Sequence, residues 1–468
     1  MKRVSQDALQ SRERDTKGGK SSYRKTHLSS KTNINWRRTT VRYECIKAKS
    51  LLSKREMLAD GWFHINKSLN AYRGCEHGCV YCDGMSEYYH VDNFTSHIRI
   101  KENAPEILRK ELKKLGFTSQ QELETETLWS FLPKEDATRL AMNTPRRIVI
   151  GVCGGVSDGY QPAEREHRIT RKILETLLDL RLPAMILTKS DLVLRDIDLL
   201  KELNEVAFAN AVFTVTLHDD DKRKIIEPRA SSTPERFAAL KELRKAGIFG
   251  GVMATPIVPW IGTTYENMEG LAREAKAAGA EFILFGAMTL KPGRQKDHFL
   301  SVIKRHFPEQ VEKIRALYAD DNRYGNPMWK RQPINTMLLG HEICKKVGIR
   351  DRSVRHILPL EHVANYLVLG ILLDIVFYQR YMLSRPWSVS KPFHDLSIKL
   401  EKGVEDLKVL LDEGRLKEGL SINDEMADIV REIIETGTCE YMQHLVSNIS
   451  EYEIGNQALV ISDWNSED

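Results

Sequence analysis

The sequence predicts an α/β protein built on a parallel sheet, with a basic tail before it and helices after it. Three observations carry the prediction. Short apolar runs bounded by turn residues alternate six times with helical patterns, starting near residue 60. Residues 1–57 lack apolar periodicity and are rich in Lys, Arg, Ser and Thr. After about residue 330 the strand signals stop and helical patterns continue.

The six strands read as 65–69, 147–153, 184–188, 211–217, 251–257 and 282–287, and the helices between and after them as 105–115, 162–180, 191–203, 234–246, 265–278 and 295–306. Pro105, Pro162 and Pro234 stand where a helix would begin, and Gly247 and Gly279 where one would stop. Six β–α units in succession imply parallel strands with right-handed crossovers. Residues 117–145 read as an insertion. Segments 358–384, 397–413 and 422–448 read as helices. The domain reading is a basic, largely disordered tail over 1–57, with 41–52 ordered against the body, a core over 58–330, and a helical C-terminal subdomain over 331–468. A chain of 468 residues is long enough for one large barrel-type domain plus a smaller one.

Residues 1–57 hold 16 Lys/Arg against 5 Asp/Glu, a net of +11, so the overall +5 leaves −6 on the remainder. With Tyr23, Trp36 and Tyr43 interleaved, the tail could track a nucleic-acid backbone; a plain solvated extension is the alternative. The most apolar run, 363–383, contains Asn365, Asp374, Gln379 and Arg380, so it reads as a buried helix rather than a membrane span. The N-terminus lacks an apolar signal-peptide core. The expectation is a soluble, cytoplasmic protein with no membrane partner.

Seven cysteines in this length do not make a disulfide framework. Cys45, Cys153, Cys344 and Cys439 are scattered, whereas Cys75, Cys79 and Cys82 form a C-x3-C-x2-C run with Gly74 and Gly78 beside the ligands. Thiolates are the standard ligands of iron–sulfur clusters, and three of them leave one iron of a cubane open for chemistry. The alternative is a zinc site completed by His77 or a distant Cys. Zinc sites usually come as paired C-x2-C units, and no second pair exists here.

The spacing, with Tyr81 before the third Cys and six β–α units after it, resembles the signature of the radical S-adenosylmethionine (SAM) superfamily. The flanking residues resemble its spore photoproduct lyase-like branch, sometimes described as DNA-repair-photolyase-related. The matching segments are Asn70 to Cys79, Ser157 to Glu164, Leu187 to Ser190, Glu227 to Ala230 and Ala254 to Pro259. The resemblance implies a partial (β/α)6 TIM-type barrel. It also implies a [4Fe–4S] cluster on Cys75, Cys79 and Cys82, S-adenosyl-L-methionine bound to the open iron, and an electron donor of flavodoxin or ferredoxin type. In such barrels the site lies at the C-terminal ends of the strands.

The same resemblance proposes contacts to SAM. Tyr81 would pack near it, and Ser157 and Asp158 would accept from its ammonium, with a helix cap the alternative for Asp158. Lys189 would pair with its carboxylate, or be a solvated lysine. Thr214 would reach the ribose or methionyl part, or simply favour its strand. Pro256 and Ile257 would flank adenine. Glu227 and Arg229 have no role legible in the sequence. The implied reaction is reductive SAM cleavage to a 5′-deoxyadenosyl radical that abstracts hydrogen from a substrate, with a nucleic acid or nucleotide one class, and a peptide, protein or small metabolite another. A zinc- or cluster-bearing binding protein is the non-enzyme alternative. Two positions depart from the lyases: Asp83 stands where they carry Tyr, and Gly155 where they carry a hydrogen-donating Cys. Cys153 lies two residues earlier, on the same strand face, and is a candidate hydrogen donor or a small core residue. Both departures argue against thymine-dimer repair itself.

Overall fold

A computed structural model describes residues 40–119, 148–152, 156–328, 331, 335–358 and 362–449. Six parallel strands form one sheet: β2 (Lys67–Leu69), β5 (Ile150–Val152), β6 (Ala184–Thr188), β7 (Ala209–Thr214), β8 (Phe249–Ile257) and β9 (Ile283–Ala287). They stand side by side in sequence order, in register through pairs such as Leu69 with Val152 and Val212 with Gly251. Their residues alternate between two buried faces. Ile150, Ile186, Ala211, Phe213, Val252 and Ile283 pack against the outer helices, whereas Val149, Met185, Val212 and Leu284 meet one another inside. Burial on both faces explains why the strands read as near-continuous apolar runs. The fourth strand starts two residues earlier than its apolar run suggested.

A second sheet was not legible. β1 (Arg42–Ile46) pairs parallel with β4 (His97–Lys101), and β3 (Tyr72–Arg73) pairs antiparallel with β4. Residues 42–57, read as part of the tail, are thus held to the body. The backbone N–H groups of Leu51 and Leu52 also donate to Glu111, and Leu51 is buried. The disordered reading of residues 1–39 and the insertion reading over 120–145 lie outside the described residues.

Three helices depart from the sequence reading in where they start, what they cover or whether they were read at all. The 162–180 pattern breaks at Arg168, whose φ is 51°. There the buried Glu164 carboxylate accepts from the N–H groups of Thr170 (2.9 Å) and Arg171 (3.2 Å), which starts a new helix at Ile169. Helix Arg294–His306 does not cover the sheet; Phe299 and Ile303 pack with Cys79, Tyr81 and Leu217 over the strand ends. β9 is covered instead by helix Thr336–Val347, absent from the sequence reading, whose Gly340 lies against the Phe285 ring. That helix shares the barrel's core through Leu339, Ile343 and Cys344.

The rest of the C-terminal region is helical. Val363–Phe377 is central, continues as a π-turn to Met382, and packs with Trp387–Glu401 and Asp424–Thr436. Val363–Met382 is long and apolar enough to cross a membrane by length and composition. Its polar side chains nevertheless have protein partners: Asn365 accepts from Leu407 N–H (2.8 Å), Gln379 donates to the Tyr441 hydroxyl (2.7 Å), and Asp374 lies 3.3 Å from Arg352. At the opposite end from the cysteines, segment 350–358 extends the β9 edge through a bridge at Arg350. It meets residues 61–64 through Arg352 and Ser353.

Candidate functional site

The three cysteines lie on the loop between β3 and β4, at the C-terminal rim of the sheet. Two glycines with positive φ shape the loop: 96° at Gly74 and 66° at Gly78. A Cβ at Gly74 would come within 2.8 Å of the Phe94 carbonyl, and one at Gly78 within 2.9 Å of the Arg229 guanidinium. Cys75 and Cys79 are buried, Cys82 is half-buried, and all three are free thiols. Burial pushes Cys79 up to about 12 and raises Cys75 and Cys82 as well, while Lys189 acts to lower Cys79 and Cys82.

This donor set fits an iron–sulfur cluster. Cys79 and Cys82 lie close enough to Cys75 for their charges to act on it, and no disulfide consumes them. Among the described residues no three His, Cys, Asp or Glu side chains converge on a single metal ion. A cubane makes a different demand, because each thiolate binds its own iron.

Loops from four strands brace the cysteine loop. After β5, Gln161 accepts from Glu76 N–H (2.9 Å) and donates to the Gly74 carbonyl (3.1 Å). Glu76 in turn accepts from Ala163 N–H (2.8 Å) and from the Tyr43 hydroxyl (2.9 Å). After β7, the segment Ile226 to Ala230 clamps the loop through its backbone: Val80 N–H donates to the Ile226 carbonyl (2.9 Å) and Arg229 N–H to the His77 carbonyl (3.2 Å). After β9, Gln295 donates to the Tyr81 carbonyl (2.8 Å). The fourth brace, from β6, runs through Asp158.

The proposed SAM contacts gather at this rim, with different capacities left. Asp158 accepts from Tyr160 N–H, Thr188 and Lys189 N–H, and its second oxygen also lies against His77 Nε2. Burial would raise its pKa, but His77 at 3.1 Å and these donors hold it at about 2. The carboxylate therefore ties β5 and β6 to the cysteine loop, with most of its acceptor capacity already used inside the protein. Ser157 donates to the Tyr72 carbonyl at 3.0 Å, leaving its oxygen able to accept. The Lys189 ammonium has neither a hydrogen bond nor an ion pair among the described residues; it stands 5.8 Å from the Tyr81 ring centroid. Burial works against its charge, yet Cys79, Glu227 and Asp158 raise its pKa overall. Thr214 is buried on the same strand face as Val212, toward the barrel interior. Ile257 packs in the core between sheet and helices, so a ligand contact there falls to its backbone or to Pro256. Cys153 lies outside the described residues.

Sequence reading missed how Tyr81 is held. Its hydroxyl donates to Glu227, fully buried, which also accepts from Thr216 (3.0 Å) and pairs with the equally buried Arg236 at 2.5 Å. Arg236 donates onward to the carbonyls of Ser231 and Thr214, both at 2.8 Å. Burial alone would neutralise Glu227, but Arg236 and Lys189 keep its pKa below the ordinary value. The Glu227–Arg229 motif was the available signal; Arg236, nine residues on, gave none.

The family model described as the radical SAM superfamily matches residues 69–275. An uncharacterized protein of Methanocaldococcus jannaschii is 29% identical over 248 residues, covering 53% of this chain and 78% of that one. The radical SAM Nα-GlyT isomerase of Pseudomonas phage M6 is 26% identical over 186 residues, covering 40% and 38%. Among solved structures, spore photoproduct lyase complexed with dinucleoside spore photoproduct aligns at a TM-score of 0.45 and 15% identity, over 65% of this chain and 79% of that one. The cysteine loop and strands β5 to β8 fall within the matched span, so residues 69–275 carry a radical SAM domain.

Proposed function

We propose that Cys75, Cys79 and Cys82 hold a [4Fe–4S] cluster and that the surrounding rim binds SAM, for hydrogen abstraction from a nucleic acid or nucleotide. The observation that carries the site assignment is the Lys189 ammonium, without an ion pair or hydrogen bond among the described residues, beside two buried thiols and a half-buried one on a braced loop. When bound, the cluster and SAM supply an electron and a 5′-deoxyadenosyl radical. The chain's own residues do the rest. Lys189 pairs with the carboxylate of SAM and Ser157 accepts from its ammonium. Tyr81, fixed by Glu227 and Gln295, forms the apolar wall beside the cluster. Thr214 offers a hydroxyl from inside the barrel, and Pro256 with the Ile257 backbone lines the adenine side. Asp158 acts through others, by orienting the Lys189 backbone and His77.

The substrate class is supported by the sequence resemblance to spore photoproduct lyases and by the basic N-terminus. Residues 1–39 alone carry 11 Lys/Arg and 3 Asp/Glu, a net of +8. Asp83 in place of a tyrosine supports a substrate other than the thymine dimer. The test is release of 5′-deoxyadenosine on anaerobic reduction with SAM, repeated with DNA, RNA, nucleotides and peptides. Stimulation by a nucleic acid or nucleotide alone supports the reading; stimulation by peptides alone sinks the substrate class. Unaltered basal cleavage in Lys189→Met would remove the carboxylate-pairing role.

A further inference from the structure

The residue after the third cysteine is Asp83, and the last β–α loop reaches back to hold it. Beyond β9 the chain runs through Lys291 into helix Arg294–His306. The Lys291 ammonium forms an ion pair with both carboxylate oxygens of Asp83, and the two side chains keep only 15% and 29% of their exposure. The Tyr89 hydroxyl donates to the same carboxylate at 2.7 Å, and the ammonium lies 5.5 Å from the Tyr89 ring centroid. Gln295 fixes this arrangement: it accepts from Lys291 N–H (2.9 Å) while donating to the Tyr81 carbonyl. Further out, Arg294 N–H donates to Glu87 at 2.9 Å and its guanidinium pairs with Asp92 at 2.9 Å. β2 and β9 are the two edges of the sheet. These bonds therefore join the loop that follows the first strand to the loop that follows the last.

An exposed lysine–aspartate pair contributes little stability. This pair is partly buried and stands where charge has another consequence. Asp83 directly follows Cys82 in the chain and opens the short turn that Cys82 caps, so its carboxylate is fixed beside that cysteine. A cluster gains an electron on reduction, so an uncompensated carboxylate beside a ligand makes that electron harder to add.

We propose that Lys291 is a positioning residue for the redox centre: by neutralising Asp83 beside Cys82 it holds the cluster's reduction potential above the value a bare carboxylate would impose. The inference rests on Cys75, Cys79 and Cys82 being the cluster ligands. A mere mechanical latch between the two loops would depend on the pair in a different way. It would weaken on loss of either partner, without regard to the sign of the charge left behind.

The experiment is an EPR-monitored redox titration of the reconstituted full-length protein as wild type, Lys291→Met, Lys291→Arg, Asp83→Asn and the Met/Asn double variant. Iron, sulfide and melting temperature are measured on each. The Met variant should shift to a more negative potential and the Asn variant to a less negative one. The double variant and Lys291→Arg should lie near wild type. Shifts of the same sign in both single variants, or no shift in either, would overturn the proposal, whatever the melting temperatures show. Should Lys291→Met fail to hold a cluster, Asp83→Asn decides alone: a less negative potential supports the assignment and an unchanged one overturns it. Absence of iron and sulfide from the wild type would instead overturn the ligand assignment, so the two failures are distinguishable.

Discussion

Cys344 and Cys439 are buried at least as deeply as Cys75 and Cys79, at 2% and 0% exposed against 7% and 6%. In both regions burial raises the thiol pKa. The neighbours differ. Cys344 sits on the helix Thr336–Val347 among Leu339, Ile343 and the barrel's apolar core, and Cys439 lies in the core of the C-terminal helices. Around Cys79 stand Lys189 and Arg236, close enough to stabilise a thiolate, on a loop that closely packed glycines and the β5 and β7 segments hold in place. Burial is common to both regions; the charged partners that favour a thiolate and the braced backbone stand around Cys79.

The sharpest way to break this comparison is to exchange the two sets. Replacing Cys75, Cys79 and Cys82 together by Ala should abolish iron and sulfide binding and the visible iron–sulfur absorbance. Replacing Cys344 and Cys439 by Ala should leave both at wild-type levels. Metal analysis of the anaerobically purified proteins decides. Iron retained by the triple variant would refute the ligand set, and iron lost from the double variant would show a second site.

A smaller effect separates the buried ion pairs of the two regions. Arg236→Met leaves Glu227 charged and buried, and should cost about 3–5 kcal/mol of stability in denaturant unfolding. Arg352→Met should cost less. Burial already raises the pKa of its partner Asp374, so this carboxylate can take up a proton when left alone, whereas Glu227 is still held ionised by Lys189. Equal losses for the two variants would mean that the two acids respond alike and the distinction fails.

Smaller again is the effect expected at the boundary between the regions. A Cβ at Gly340 would stand 2.6 Å from the Phe285 ring on β9. Gly340→Ala should therefore cost about 1–3 kcal/mol by overpacking the barrel, although the helix lies in sequence with the C-terminal region. An unchanged unfolding midpoint would show that this helix is not seated on the sheet.

That helix also shows what the sequence could and could not reveal. The six strands were legible because burial on both faces leaves long apolar runs, as in 184–188 and 282–287. The cysteine loop was legible from spacing, whereas the bonds that Gln161 and the Ile226 to Ala230 segment make to it were not. Which surface an amphipathic helix covers was not. The pattern at 295–306 states a buried stripe without its partner and turned out to cap the strand ends, while the unread helix at 336–347 took its place on β9. β1 was half legible, since its charged residues lie toward solvent and only its pairing with β4 marks it as a strand. The Glu227–Arg236 pair joins a loop to a helix, a contact that no residue spacing encodes.

The smallest expected effect is one of pH, and it sharpens the contrast inside the C-terminal region itself. Asp351 is buried, which would raise its pKa, but His341 and the Tyr378 hydroxyl, each at 2.8 Å, together with Arg352 hold it below the ordinary value. Its neighbour Asp374 goes the other way: burial and the charge of Asp351 outweigh Arg352 and Arg350, and its pKa is raised. The two groups therefore contribute on opposite sides of the unfolded value, about 3.9. The contribution of Asp351 is present above that value and is lost as pH falls through its depressed folded pKa. That of Asp374 is fully present below the unfolded value and is lost as pH rises through its raised folded pKa. Melting temperatures of Asp351→Asn should accordingly fall less steeply than wild type below about pH 4. Those of Asp374→Asn should lose the decline that the wild type shows just above it. Asparagine keeps the shape and part of the hydrogen bonding in each case, so the comparison isolates the charge. If both variants altered the same limb of the curve, the two carboxylates would be titrating as one coupled pair, and the opposed assignments would have to be withdrawn.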